Sequence, residues 1–292
     1  MANKVRIGFV GVGGMGQCAH LRNYVTVPEC EVVALAELRP KLREAVARKY
    51  GVAHTYASAA DMLANEKLDG IVASQPFDRH GQIIIPLYGS QIPVFTEKPI
   101  AASIEVGEKM LAALKTSGTW HMVGYHKRSD PATMCAKAEI DRLKQTGELG
   151  KLKYIRILMP AGDWIAGGFN DLIKSDEPVP KMEADPVARD MDAPTWAKYV
   201  SFVNYYIHQV NLLRHLLGES YHVTHADKSG VLLVAESASG GDRQHRNDPV
   251  PDHDRLARVS AGGVREGVCK TGIASAGHVE PTWPRRVLPR SR

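Results

Sequence analysis

Hydrophobic positions fall into two patterns along the chain. Over residues 5–125, short continuous apolar runs alternate with stretches of helical period. The runs at residues 5–10, 31–37, 68–74, 94–97 and 121–125 read as strands buried on both faces. Between them, residues 17–25, 40–50, 58–65, 80–90 and 103–117 read as helices. Leu42, Ala45 and Val46 share one face of the second, Ser58 is placed to cap the third, and Ile104, Met110, Leu111 and Leu114 lie along one side of the last. Strand and helix units alternating at this length predict an α/β fold with a doubly wound parallel sheet.

After residue 125 the pattern changes. Residues 131–146 predict a helix stopped by Gly147, and residues 151–159 alternate polar with apolar positions, as in a half-exposed antiparallel strand. Residues 169–192 are polar and contain proline, which predicts a long loop over a site. Residues 206–217 predict a helix stopped by Gly218, and residues 222–227 and 231–236 two further strands. No internal repeat is visible. This half reads as an α+β domain with an open, mainly antiparallel sheet. The expected organisation is 1–125, 126–238 and an atypical tail at 239–292.

The first strand runs directly into Gly11-Val12-Gly13-Gly14-Met15-Gly16, and a helical stretch follows. That order suits the pyrophosphate of a dinucleotide. Gly11 makes the tight turn, Gly13 lets the backbone approach the phosphates, and Gly16 lets the helix pack on the strand with its N–H groups toward the anion. The second strand ends in Glu37, where a carboxylate accepts hydrogen bonds from ribose hydroxyls and repels a 2′-phosphate. NAD is the expected cofactor. Arg39, two residues on, leaves NADP open because a guanidinium holds such a phosphate.

Composition adds limits. Of 292 residues, 44% are apolar, enough for a sizeable core in a two-domain soluble enzyme. No run reaches the roughly 18 apolar residues of a membrane span, and the first strand starts too early for a signal peptide. Cys18, Cys30, Cys135 and Cys269 form no Cys-x-x-Cys pair, as expected of free thiols in a cytoplasmic protein. No His/Cys/Asp cluster has metal-ligand spacing, so no metal is expected.

The net charge of +5 lies mostly in the tail, where ten Lys or Arg face six Asp or Glu from Ser239 onward. The tail has neither strand nor helix period, no Phe or Tyr, and Ile273 as its one isoleucine. Such a composition predicts an irregular or disordered segment, with no aromatic interleaving to suggest nucleic-acid binding.

Gly11 to Gly16, Ala73-Ser74-Gln75-Pro76 with His80, Glu97-Lys98-Pro99 after a strand, and the helix bearing His208 together resemble the Gfo/Idh/MocA family of oxidoreductases. The resemblance runs over roughly residues 4–238, and Glu-Lys-Pro is its most specific mark. It implies a Rossmann domain followed by a domain on an open antiparallel sheet, a homodimer or homotetramer, and hydride transfer between NAD(P) and a secondary alcohol or ketone of a sugar, cyclitol or related polyol. Lys98 then stabilises charge on the substrate oxygen and His208 is the general base. Ser74, Pro76, His80 and Glu97 line the cofactor. Tyr125, Arg128, Asp163, Trp164 and Asn204 stand with Lys98 and His208 around the substrate.

Two alternatives accompany this reading: an NAD-dependent glycosidase of the same family, and a nucleotide-binding sensor without catalysis. Asn204 and Asn211 stand where many members carry aspartate, which removes ionisable neighbours and should lower the pKa of His208. Members also run longer, with more strands, so a frameshift replacing the end of the second domain is the expected origin of the tail.

Overall fold

Six parallel strands build the larger sheet of this computed structural model, which describes residues 3–158, 168–228, 232–237 and 257–260. They are β1 (Val5–Val10), β2 (Cys30–Ala36), β3 (His54–Tyr56), β4 (Gly70–Ala73), β5 (Val94–Glu97) and β6 (His121–Gly124), in the spatial order β3-β2-β1-β4-β5-β6. The helices between them are α1 (Arg22–Tyr24), α2 (Pro40–Tyr50), α3 (Ala59–Asn65), α4 (His80–Tyr88) and α5 (Ile104–Ser117). Two apolar cores result, one on each face of the sheet. Ile7, Phe9, Leu35, Leu42 and Val46 belong to one, and Met62, Ile71, Ile84, Val94 and Met110 to the other. Burial explains why β1, β2, β4 and β5 read as apolar runs; β6, expected to be buried on both faces, lies at the sheet edge and leaves Met122 56% exposed.

Sequence order reverses between β1 and β4. In such a sheet the ligand crevice lies outside the carboxyl ends of these two strands. Both strands end at the residues singled out above, Gly11 to Gly16 after β1 and Ser74 to Pro76 after β4.

The second half carries α6 (Pro131–Thr146), β7 (Arg156–Leu158), the long α7 (Ala193–Leu217), β8 (Tyr221–Ala226), β9 (Leu232–Ser237) and β10 (Ala257–Ser260). The four strands form one sheet in the order β7-β10-β9-β8. α7 packs on it through Leu213 and Leu217 against Ile157. Asp192 caps α7, its carboxylate accepting from Thr195 N at 2.8 Å.

Several expectations need correction. The sixth strand, β3, was not expected, because His-Thr-Tyr has no apolar run and lies at the sheet edge. The helix after the glycine loop is a π-helical turn over Gly16–Leu21 that passes into the short α1. Of the strand expected over 151–159, the described residues form β7 only from Arg156 to Leu158, and it pairs in parallel with β10, whereas β9 pairs antiparallel with both β10 and β8. α7 begins 13 residues before the expected start at 206. Its first turns mix Trp, Tyr and Phe with polar residues and so show no clean apolar stripe.

Asp163, Trp164, Cys269 and most of the tail from 239 lie outside the described residues; within the tail, Ala257–Ser260 form β10. Among the described residues no helix is long and apolar enough to cross a membrane, and Cys18, Cys30 and Cys135 are free thiols.

Candidate functional site

The glycine loop has the geometry its spacing demands. Gly11 sits at φ +84°, and a Cβ there would lie 2.2 Å from Gln75 Nε2. A Cβ on Gly16 would meet the Gly11 carbonyl oxygen at 2.7 Å, which is why the helix can approach so closely. Gly13 differs, since a Cβ there would meet nothing within 4 Å. Its hydrogen therefore fills no packing need. It keeps clear the space above the loop, where a pyrophosphate would lie, so these residues fit a dinucleotide.

Glu37 follows β2, and its carboxylate is 7% exposed. It accepts from Val12 N at 3.2 Å, from Arg39 N at 3.1 Å and from the Arg39 guanidinium at 2.8 and 3.2 Å. Burial raises its pKa, but the Arg39 and Val12 hydrogen bonds outweigh burial and hold it below the usual range. Glu37 and Arg39 thus neutralise each other at the ribose end of the crevice. Arg39 is engaged by the carboxylate rather than held out for a phosphate.

β5 delivers Glu97 and Lys98. One Glu97 oxygen lies 2.8 Å from His20 Nε2, and the other accepts from Lys98 N at 3.2 Å. Burial pushes the Glu97 carboxyl up, while the His20 hydrogen bond and charge and the neighbouring Lys98 bring it below the ordinary value. His20 was not anticipated. Its distance from Glu97 in sequence hides the pair, and only the π-helical turn shows how it reaches across from the glycine loop; such turns recur at functional sites.

The Lys98–Pro99 peptide is cis. Lys98 Nζ donates to the Asn204 carbonyl at 3.0 Å, and burial lowers its pKa, with Glu97 opposing.

His208 lies in the middle of α7, not near its start, four residues after Asn204. Its ring meets His126 edge to face at 5.0 Å. Burial first, then the charges of Lys98, His126 and Lys127, push its pKa down to about 4. The imidazole is therefore neutral at ordinary pH, the state a general base needs. Arg128 Nε donates to Asn211 Oδ1 at 2.7 Å, and the guanidinium lies 5.8 Å over the Tyr125 ring. Asn204, His208 and Asn211 share one helical face. Lys98, Tyr125, Arg128, Asn204 and His208 are thus gathered in one place.

His80, expected beside the cofactor, is buried next to the loop after β4. It is 0% exposed, with Nδ1 3.0 Å from the Ile100 carbonyl and Nε2 3.2 Å from that of Gln75. Its ring lies between the backbone after β4 and the backbone after Lys98-Pro99 and, when neutral, donates to one of the two carbonyls. Burial depresses its pKa, and the two carbonyls oppose that shift.

The polar stretch after residue 167 packs against the glycine loop, α2 and the start of α4. Phe169 lies so close to Gly14 that a Cβ there would be 3.2 Å from its ring. Gln17 bonds to Ile173 through both amide atoms, at 3.1 Å each. Lys49 Nζ donates to Asp171, and Glu177 accepts from Lys41 N and Leu42 N at the start of α2. The buried Asp185 carboxylate accepts from Gly81 N and Gln82 N at the start of α4 at 2.9 and 3.1 Å.

Residues 5–125 match the model of an oxidoreductase family described as having an NAD-binding Rossmann fold, GFO_IDH_MocA. The chain is 31% identical over 157 residues to the scyllo-inositol 2-dehydrogenase (NAD(+)) of Bacillus subtilis, covering 53% of this chain and 44% of that protein. It is 26% identical over 140 residues to an inositol 2-dehydrogenase of Rubrobacter xylanophilus, covering 48% of this chain and 40% of the relative. These matches span less than half of the relatives' length.

Among solved structures, a putative myo-inositol dehydrogenase from Sinorhizobium meliloti superposes with a TM-score of 0.61 at 22% identity, covering 89% of this chain and 69% of that one. The scyllo-inositol dehydrogenase of Lactobacillus casei with bound NAD(H) and scyllo-inositol gives 0.61 at 19%, over 89% and 70%. At these identities the structural likeness concerns the fold.

Proposed function

We propose, from a chain that belongs through residues 5–125 to the Gfo/Idh/MocA family of oxidoreductases, that the protein transfers hydride between NAD and a secondary alcohol or ketone of a polyol of the sugar or cyclitol class. The observation that carries this reading is the meeting of Lys98 with the α7 face that bears His208, beside a glycine loop whose open side suits a dinucleotide. The relatives named for inositol dehydrogenation support the cyclitol class.

NAD, when bound, supplies the hydride acceptor. Gly11 to Gly16 would hold its pyrophosphate, and Glu37 would face its ribose. Lys98 Nζ exchanges the Asn204 carbonyl for the substrate oxygen and stabilises the charge that grows there as the C–H bond breaks. A ring nitrogen of His208 takes the hydroxyl proton. Glu97, fixed by His20, holds the backbone N–H of Lys98. In the reduction direction His208 returns the proton to the alkoxide.

The domain division at 125 and 238, a tail read out of frame after 238, and assembly into a homodimer or homotetramer belong to the same proposal. The family match to 125 and the composition change after Ser239 support the division.

Thermal-shift titration with NAD and NADP, followed by a polyol panel read at the nicotinamide absorbance, tests the function. Stabilisation by NAD and reduced cofactor formed with a member of the panel are expected. Nucleotide binding without turnover would favour the sensor, and cleavage of a nitrophenyl glycoside without net NADH the glycosidase.

A further inference from the structure

The α7 face around His208 gathers cations whose partners are neutral. Lys98 Nζ rests on a backbone carbonyl, and Arg128 Nε on an amide oxygen. Neither has a carboxylate within ion-pair distance among the described residues. Lys127 adds further positive charge and counts among the causes that keep His208 neutral. Glu97 alone opposes them at His208, and its oxygens are already engaged by His20 and Lys98 N. Asn204 and Asn211 present no compensating charge on the shared face.

Arg128 is also oriented. Its Nε is held by Asn211 and its guanidinium carbon lies 5.8 Å from the centre of the Tyr125 ring. Both terminal nitrogens remain without a partner among the described residues. That is the half-satisfied fork that accepts a carboxylate with two parallel hydrogen bonds. Asn211, which places the fork, is three residues beyond His208, roughly 4.5 Å along the helix axis.

We propose that the substrate is a polyol carrying a carboxylate a few bonds from the carbon that is oxidised, with that carboxylate docked on Arg128 while the reacting hydroxyl lies at Lys98 and His208. This deepens the hydride-transfer reading above and rests on it. The docked anion compensates the surplus positive charge, and Asn211 acts as a positioning residue for the guanidinium. A neutral cyclitol of equal size leaves that charge uncompensated.

The test is isothermal titration of the full-length, NAD-loaded protein with D-glucuronate and D-gluconate, against D-glucose and myo-inositol, at low and high ionic strength. At least one carboxylate should bind about 10-fold tighter than either neutral polyol, with the gap narrowing as salt rises. Asn211→Asp sets a carboxylate against Arg128 and should abolish the preference; Arg128→Lys should keep part of it and Arg128→Gln none. Thermal melting of each variant checks that it folds.

Neutral polyols binding as tightly as the carboxylates, carboxylates failing to bind, or a preference unchanged in Asn211→Asp would each overturn the proposal. If NAD binds and a neutral polyol is preferred, the hydride-transfer reading survives without it. If NAD does not bind, both fall.

Discussion

At the scale of single residues, the proposed activity would depend on a neutral His208 held beside Lys98. The two support each other, because the ammonium and burial both disfavour the imidazolium. A histidine at the ordinary imidazole value of 6.5 would lose its basic form in mildly acidic solution, whereas His208 keeps it down to about 4. The acid limb of kcat/KM, which reports free-enzyme groups, should therefore fall near pH 4. A pH–rate profile with a limb near 6.5 would contradict the assignment. His20 belongs to this scale as well: it fixes Glu97, and Glu97 fixes the backbone at Lys98.

At the scale of elements, the glycine loop separates folding from binding residue by residue. Gly11→Ala puts a side chain at positive φ and against Gln75, so it should lower stability by about 1–3 kcal/mol. Gly13→Ala projects into open space. It should leave the melting temperature nearly unchanged and weaken NAD binding at least about tenfold, by filling room meant for phosphate. Calorimetric melts and nucleotide titrations of the two variants check the pair; equal loss of stability in both would refute it.

The stretch 168–192 supplies Asp185 as acceptor for two orphan N–H groups of α4. Asp185→Ala should cost about 1 kcal/mol and speed proteolytic cleavage within 168–192. Cleavage at the wild-type rate would deny Asp185 this anchoring role.

Legibility in the sequence follows the range of each interaction. β1, β2, β4, β5 and the glycine loop were readable, because burial on both faces and tight backbone geometry leave local marks. β3 was not, since three polar or aromatic residues at an edge carry no period. The first half of α7 was hidden by its aromatic and polar mixture. Lys98 and His208 were named through the family pattern, but their meeting through Asn204 is a tertiary fact. So are His20 on Glu97, Phe169 over Gly14 and the seclusion of His80.

At the scale of the whole molecule, the two sheets are brought together at the proposed site: β5 ends at Lys98, which reaches α7 at Asn204, and α7 packs against β7 in the second sheet. Acid should loosen the fold in an ordered way. His121, bonded to the Tyr88 and Thr96 hydroxyls, and His208 both have folded pKa values of about 4, against 6.5 for the free group. Protonation is thus disfavoured in the folded state. Their contribution is complete above 6.5 and is lost as pH falls through about 4. Glu37 and Glu97, with lowered values, lose theirs only below the usual 4.5. Thermal melts across this range should show stability falling already between 6.5 and 4.5; a flat profile there would contradict the two histidine shifts.

The most direct test of the central claim compares NAD affinity and NADH formation in the wild-type protein, Lys98→Met and His208→Ala, using a polyol that the wild type oxidises. All three should bind NAD with the same Kd, while turnover falls by about 10²–10⁴-fold in each variant. Turnover within a few-fold of wild type in either variant, with NAD still bound, would contradict the account.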